Sequence, residues 1–385
     1  AAAMTAWETK AVALANELES QGHLTDPRWR AVIEAVPRHL FVPRFYDDDR
    51  NLVDSADPDH YDRWLSAVYS DIPLVTQITR VPDTDLDLFT SSSSMPSLMV
   101  GMLELLSVAD GHRVLEIGTG TGYNAALLSH RLGATNVTSI DLDPGLVSNA
   151  RERLAGIGYR PHLVTGDGAA GVSERAPYDS IIATCAVPTI PSAWITQVIE
   201  GGAILADVRG EVSGALMLLR KTSPDAVTGR VLARSGTFMW LRARVDNPLR
   251  DGGRYPTIFD LDGAESRLTD INPQLIDDQD FRFVWQRHAP RLRSVWWDSR
   301  DDAAVLKLRA DDAAWAEVTA AEAEPGQYAI TQGGPHAIWD DVERAAAVWN
   351  SLGRPARHRF GLTATVDGNH RYWLDSPDGE HIDAP

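Results

Sequence analysis

The chain has 385 residues, 44% of them hydrophobic, which is enough apolar material for a sizeable core and for two domains. Its 36 Lys and Arg against 54 Asp and Glu leave a formal charge of −18, which opposes a nucleic-acid partner because phosphate binding rests on basic side chains. One cysteine, Cys185, excludes an internal disulfide framework and a multi-cysteine metal site, and no apolar run reaches the length of a bilayer span.

These features and the lack of a signal-peptide pattern predict a cytoplasmic protein with no metal and no membrane partner. The three alanines ahead of Met4 read as added residues. Apolar residues at helical spacing from Thr5 to Leu18, stopped by Gly22, predict a first helix. A second runs from Asp26-Pro27, the acid as cap and the proline in the first turn, through Val36. Val36-Pro37-Arg38-His39-Leu40-Phe41-Val42-Pro43 reads as an extended clamp. The stretch from Tyr46 to Asp87 is acidic and broken by Pro58, Pro73 and Pro82, so loop is expected there, with a short helix over 61–69. Ser91-Ser92-Ser93-Ser94 also reads as loop, any one of its residues a helix cap, ahead of a buried helix over 97–106. That helix directly precedes the strand of a ligand turn, so the serines are expected near the ligand.

The ligand turn is Val114-Leu115-Glu116-Ile117-Gly118-Thr119-Gly120-Thr121-Gly122-Tyr123-Asn124. A short apolar strand, a tight turn with glycines where backbone must approach a ligand, and a helix start together make a nucleotide-type site. The hydride-carrier spacing G-x-G-x-x-G counted from Gly118 fails at Tyr123; counted from Gly120 it gives Gly120, Gly122 and Ala125, which is allowed but begins later after the strand. The spacing E-x-G-x-G-x-G instead resembles motif I of the S-adenosyl-L-methionine-dependent methyltransferases. That resemblance implies S-adenosyl-L-methionine as cofactor and S-adenosyl-L-homocysteine as product. A glycine turn with no ligand is the plain alternative.

Beyond the turn, strand and helix alternate as in a doubly wound sheet. The strand 137–141 ends in Asp141, placed to accept ribose hydroxyls, with Leu142 beside it. The strand 162–165 leads into Gly166-Asp167-Gly168, where an acid can meet an adenine amino group. Strands at 178–184 and 201–208, a helix at 191–199 and a hairpin at 215–220 and 229–234 complete a unit ending near Arg244. Asn247-Pro248 and Asp251-Gly252-Gly253 mark a junction, so the domains are expected at 1–245 and 246–385. The second holds seven of the twelve tryptophans, alternating runs at 281–285, 304–308 and 328–331, a helix over 338–352, and a hairpin at 360–366 and 372–374. It reads as an α+β domain; most of its tryptophans suit a core, and any exposed toward the serines would grip a peptide.

Three stretches together resemble the protein L-isoaspartate O-methyltransferases. Leu24-Thr25-Asp26-Pro27 through Pro43 is similar to that family's opening helices and its V-x-R-x-x-F-V-P segment. Ser92-Ser93-Ser94-Met95-Pro96-Ser97 stands in the place of its T-I-S-x-P-H motif. Val114 to Tyr123, Asp141, Asp167-Gly168 and Tyr178-Asp179-Ser180-Ile181 follow in the family's order, so the resemblance covers 20–245. It implies an α/β, doubly wound Rossmann-like class I methyltransferase fold with a C-terminal α+β domain. It implies cofactor contacts at Ser92, Glu116, Gly118, Thr119, Gly120, Gly122, Tyr123, Asp141, Leu142, Asp167 and Gly168, and Ser94 with Ser93 beside the substrate carboxylate. The chain departs from the family at Ser92 and Ser97, which replace Thr and His, in the acidic insertion before the serines, and in the whole of 246–385, absent from the short repair enzymes. Extended relatives of this kind methylate an aspartate in ribosomally made peptides such as lanthipeptides, lasso peptides and graspetides, and the serine-rich motif and long tail resemble that branch.

The expected reaction is therefore esterification of an aspartate side chain in a modified or cyclised ribosomal peptide, leading through a succinimide (aspartimide) to isoaspartate. Repair of isoaspartate in damaged proteins is the alternative. A carboxylate is already ionised at neutral pH, so the transfer needs placement and no general base. Ser94 would orient the carboxylate as a hydroxyl donor, since no Ser-His-Asp set surrounds it. A small-molecule carboxyl methyltransferase would require a closed pocket, and a non-catalytic cofactor-binding protein would be expected to lack acids such as Asp141 and Asp167.

Overall fold

In the computed structural model, which describes residues 3–242, 244–245 and 259–383, the glycine turn follows the third strand from one edge of a nine-stranded sheet. Val114–Ile117 is buried along its whole length and pairs in parallel with Val137–Asp141 on one side and Tyr178–Val187 on the other. His162–Thr165 and Val198–Arg209 extend the parallel part outward. Strand order therefore diverges at Val114–Ile117, and the crevice beyond its carboxyl end is where open α/β sheets take ligands.

Gly214–Ser223 and Ala226–Val231 continue the sheet as the expected hairpin. The sheet does not end there. Phe360–Thr365 pairs with Ala226–Val231, and His370–Leu374 closes the edge. These two strands were expected within a separate C-terminal domain. They join the main sheet because Phe360, Leu362 and Ala364, every second residue, are fully buried and continue its core face. The junction expected at 247–253 lies outside the described residues.

The rest of the C-terminal part is a five-stranded antiparallel sheet in the order Glu265–Thr269, Gln327–Gly333, Trp315–Glu324, Ala303–Ala310, Leu292–Arg300, with helices Gln279–His288 and Ile338–Ser351. The alternating run 281–285 is helix, not strand. Asp278 caps it by accepting from the N–H groups of Asp280 and Phe281, and Phe281, Val284, Trp285 and His288 form a buried stripe at helical spacing. One cluster joins Met217, Leu219 and Val227 of the main sheet to Phe281, Phe283, Trp285 and Trp339. Gln286 Oε1 clamps the seam by accepting from Val212 N at 2.7 Å and Ser213 N at 3.1 Å. Trp285, Trp315, Trp339, Trp349 and Trp373 are core, whereas Trp297 is 36% exposed.

At the N-terminal end, helices Ala6–Ser20 and Pro27–Ala35 stand where expected, as does Tyr61–Val68. The stretch expected as loop around them forms a second sheet in the order Leu52–Asp54, Arg44–Tyr46, Leu74–Arg80, Asp87–Ser93. In the hairpin formed by its last two strands, Asp83 and Asp85 sit in the turn after Val81, while Leu, Val, Ile, Thr and Phe make up more than half of the two long strands. Ser91, Ser92 and Ser93 therefore lie in a strand, and helix Pro96–Leu105 follows. Among the described residues, no helix is long and apolar enough to cross a membrane, and no group of three or more His, Cys, Asp or Glu is placed to hold a metal.

Candidate active site

Gly118 has φ +97°, and a Cβ there would come within 2.8 Å of Thr184 Oγ1. Thr184 donates to the carbonyl of Gly118 at 2.8 Å, closing the turn from the neighbouring strand. Gly122, φ +91°, starts helix Tyr123–Leu132, and a Cβ there would meet Ala150 Cβ at 3.0 Å, so its absence lets two helices approach. Across the crevice stands the serine strand. A Cβ on Gly120 would lie 3.8 Å from the Ser92 carbonyl oxygen and 3.9 Å from Ser91 Oγ.

One cavity takes in Ser92, Gly118, Thr119, Gly120, Tyr123, Asp141, Leu142 and Gly168 together with Ser93 and Ser94. Three expected contacts do not line it. Glu116 is fully buried: it accepts from Ser139 Oγ and Asn124 Nδ2, each at 2.6 Å, and burial pushes its carboxyl pKa up to about 7. It holds the first strand to the second and to the helix, so it shapes the turn from behind. Gly122 serves the helix contact. Asp167 is exposed and accepts from Ala169 N at 2.9 Å, capping the short turn Gly168–Ala170.

Asp141 ends its strand at the cavity wall, accepting from Gly120 N at 2.9 Å and Asp143 N at 3.1 Å. Burial raises its pKa, and these two N–H donors oppose the rise. Cys185 also lines the cavity, but burial drives its thiol pKa up, which removes it as a nucleophile.

The serine side is built on Arg38, fully buried. Its guanidinium donates to Ser93 Oγ at 3.1 Å and to the carbonyls of Val68 at 2.8 Å, Ile72 at 3.3 Å and Ser94 at 3.2 Å. Ser93 Oγ is thus already engaged, and Ser94 is the freer of the two serines. Ser97 N donates to Asp71 at 2.8 Å and Ser97 Oγ accepts from Arg234 at 3.1 Å, fixing the start of helix Pro96–Leu105. Sequence reading assigns Arg38 no role of its own; its signal is a basic residue between two prolines, in the R position of the V-x-R-x-x-F-V-P segment.

Residues 236–242 form the remaining wall. Ala186 N donates to the Met239 carbonyl at 2.7 Å, Leu241 N to the Ala186 carbonyl at 2.8 Å, and buried Asp207 accepts from Phe238 N at 3.1 Å. Leu241 covers Gly168, where a Cβ would meet it at 3.1 Å. No motif marks this segment. Ser91 Oγ and Asn124 Oδ1, both lining the cavity, are buried without a hydrogen-bond partner, so the cavity presents polar atoms that a ligand would satisfy. Among the described residues none beyond Arg242 lines the cavity, so none of the C-terminal tryptophans faces the serines here.

Residues 9–238 match the model of the family described as protein-L-isoaspartate(D-aspartate) O-methyltransferase. The chain is similar to the protein-L-isoaspartate O-methyltransferase of Picosynechococcus sp., 34% identical over 211 residues that cover 54% of this chain and 81% of that one. It is also similar to protein-L-isoaspartate O-methyltransferase 2 of Archaeoglobus fulgidus, 32% identical over 219 residues, 56% of this chain and 86% of that one. A solved protein-L-isoaspartate O-methyltransferase shares the fold with a TM-score of 0.55 at 22% identity, covering 95% of this chain and all of its own. That coverage takes in most of the C-terminal part, which therefore has a counterpart in fold.

Proposed function

The chain belongs to the protein-L-isoaspartate(D-aspartate) O-methyltransferase family, and from that premise we propose that its cavity methylates the free α-carboxylate of isoaspartate in a peptide or protein. By membership it is an S-adenosyl-L-methionine-dependent carboxyl O-methyltransferase. The observation that carries the reading is the glycine turn facing the serine strand across one cavity.

The residues present fit that cofactor. Asn124 Oδ1 lacks a donor and suits its ammonium, the Asp141 carboxylate suits ribose hydroxyls, and Gly168 under Leu241 leaves a slot for a flat ring. When bound, it supplies a methyl group on a positive sulfur, which passes in line to a carboxylate oxygen. The chain's own work is placement. Ser94 donates a hydrogen bond to the acceptor carboxylate, Arg38 keeps the serine turn in place, and the segment 236–242 keeps water out. Loss of both charges favours reaction in such a site. The ester then makes attack by the next backbone nitrogen productive, because methanol leaves where oxide does not, and the resulting succinimide opens to aspartate or isoaspartate.

A second reading, esterification of an encoded aspartate in a ribosomally made peptide, is favoured by Ser97, tied to Arg234 where the family motif has His, and by the added hairpin Leu74–Ser93. The relatives' names support the first. We assign 1–245 the catalytic role and 246–385 that of bracing it, since among the described residues no lining residue comes from the tail. Paired peptides differing only in Asp or isoAsp at one position, incubated with S-adenosyl-L-methionine and read by mass spectrometry, test this. Methyl gain on isoAsp alone supports repair, gain on Asp alone the second reading, and gain on neither removes both.

A further inference from the structure

Strand Asp87–Ser93 is the last of its sheet: Leu74–Arg80 pairs with it on one side, and among the described residues no strand pairs on the other. Thr90, Ser91, Ser92, Ser93 and Ser94 all line the cavity. Strand side chains alternate between faces, so a wall made by one face would use every second residue. The register shift around Gln77, which leaves Thr76 and Thr90 unpaired, can turn one extra residue to a given side. It cannot bring five in a row. The cavity therefore runs along the edge of the strand, where the Ser92 carbonyl faces Gly120 and the backbone before it is open.

Some of the edge's backbone groups are in use. Arg38 holds the carbonyl of Ser94, and Arg50 approaches that of Asp87 at 3.5 Å. Among the described residues, no group outside the hairpin hydrogen-bonds the backbone of 88–92. Buried Ser91 Oγ has no partner, and Phe89 is 43% exposed on the same strand.

We propose that the substrate peptide binds as a fifth strand of this sheet, its backbone pairing with the edge at 88–91 so that its reacting carboxyl arrives at Ser94. The proposal rests on the carboxyl-transfer reading above. Backbone pairing tolerates many side chains, as a broad peptide substrate requires, while Phe89 meets an alternate one. Phe89 to Ser94 spans roughly 16 Å of extended chain, so about five peptide residues are needed on one side of the reacting one.

The test uses the wild-type enzyme and a peptide that it methylates, with single backbone N-methyl groups placed at each position of that flank. N-methylation removes one donor and leaves every side chain intact. KM is expected to rise about tenfold at every second position with kcat unchanged, while amide exchange at 88–91 slows when peptide and S-adenosyl-L-homocysteine are both present. A flat or non-alternating profile on a peptide that is still methylated overturns strand addition and leaves carboxyl transfer standing. No turnover of the unmodified parent peptide overturns carboxyl transfer, and strand addition with it.

Discussion

Arg38 Nη2 lies 3.1 Å from Ser93 Oγ, and both side chains are buried. The same guanidinium reaches carbonyls on either side of the turn that precedes the hairpin, so one cation joins three segments of chain. Burial pulls its pKa down to about 10, which still leaves it charged at neutral pH. The serine turn is therefore placed by a residue more than fifty positions earlier.

Replacing Arg38 by Met would strip several buried carbonyls of their donor, each costing about 1–3 kcal/mol. Arg38→Met is expected to lose about 3 kcal/mol of stability in urea unfolding. Arg38→Lys, which keeps the charge but cannot fork, should fall between, and in both variants KM for peptide should worsen more than cofactor affinity. An unchanged unfolding midpoint would show that the turn does not depend on Arg38.

Glu116 gives a pH signature. Its folded pKa of about 7 stands above the ordinary 4.5, so between these values the folded state keeps a proton that the unfolded state has released. Its contribution is present below the unfolded pKa and is lost as pH rises through the folded one, on the order of 3 kcal/mol across the window. Glu116→Gln should flatten that fall, because the amide has no proton to release over this range. Urea midpoints at pH 5 and pH 8 for both proteins check it. Parallel pH profiles would mean that Glu116 is not the group responsible.

Gly118→Ala should strain the turn twice, through φ +97° and through contact with Thr184 Oγ1 at 2.8 Å. A loss of about 2 kcal/mol and a marked drop in S-adenosyl-L-methionine affinity by calorimetry are expected. Adding Thr184→Ala removes the contact but not the φ penalty, so the double variant should recover part of the loss. Strict additivity of the two changes would contradict the geometry.

The glycine turn and the succession of strands and helices after it were legible because each is written in local spacing, and the serines were expected near the turn because their helix directly precedes its strand. What was missed depends on contacts distant in sequence. Arg38 meets Ser93 across 55 positions, and 236–242 becomes a cavity wall only because Ala186 pairs with it. Phe281-Arg282-Phe283-Val284-Trp285 alternates like a strand, yet Asp278 and a stripe extending to His288 make it helix, a choice that a five-residue window cannot decide. The hairpin before the serines was hidden by its acids and prolines, which sit at its ends and turn.

The family match ends at 238, which taken alone suggests that the remainder is dispensable. The sheet argues otherwise. Removing 246–385 takes Phe360–Thr365 off strand Ala226–Val231 and leaves an open edge with no cover. It also strips Met217, Leu219 and Val227 of their shared core with Phe281, Phe283 and Trp339, and leaves Val212 N and Ser213 N without Gln286. A chain truncated at 245 is therefore expected to aggregate or to unfold in little urea, whereas full-length Gln286→Ala should stay folded and lose about 2 kcal/mol. Light scattering and urea unfolding of the two proteins side by side test the point. A soluble truncated monomer that binds S-adenosyl-L-methionine as tightly as the whole chain would mean that the main sheet stands without its last two strands.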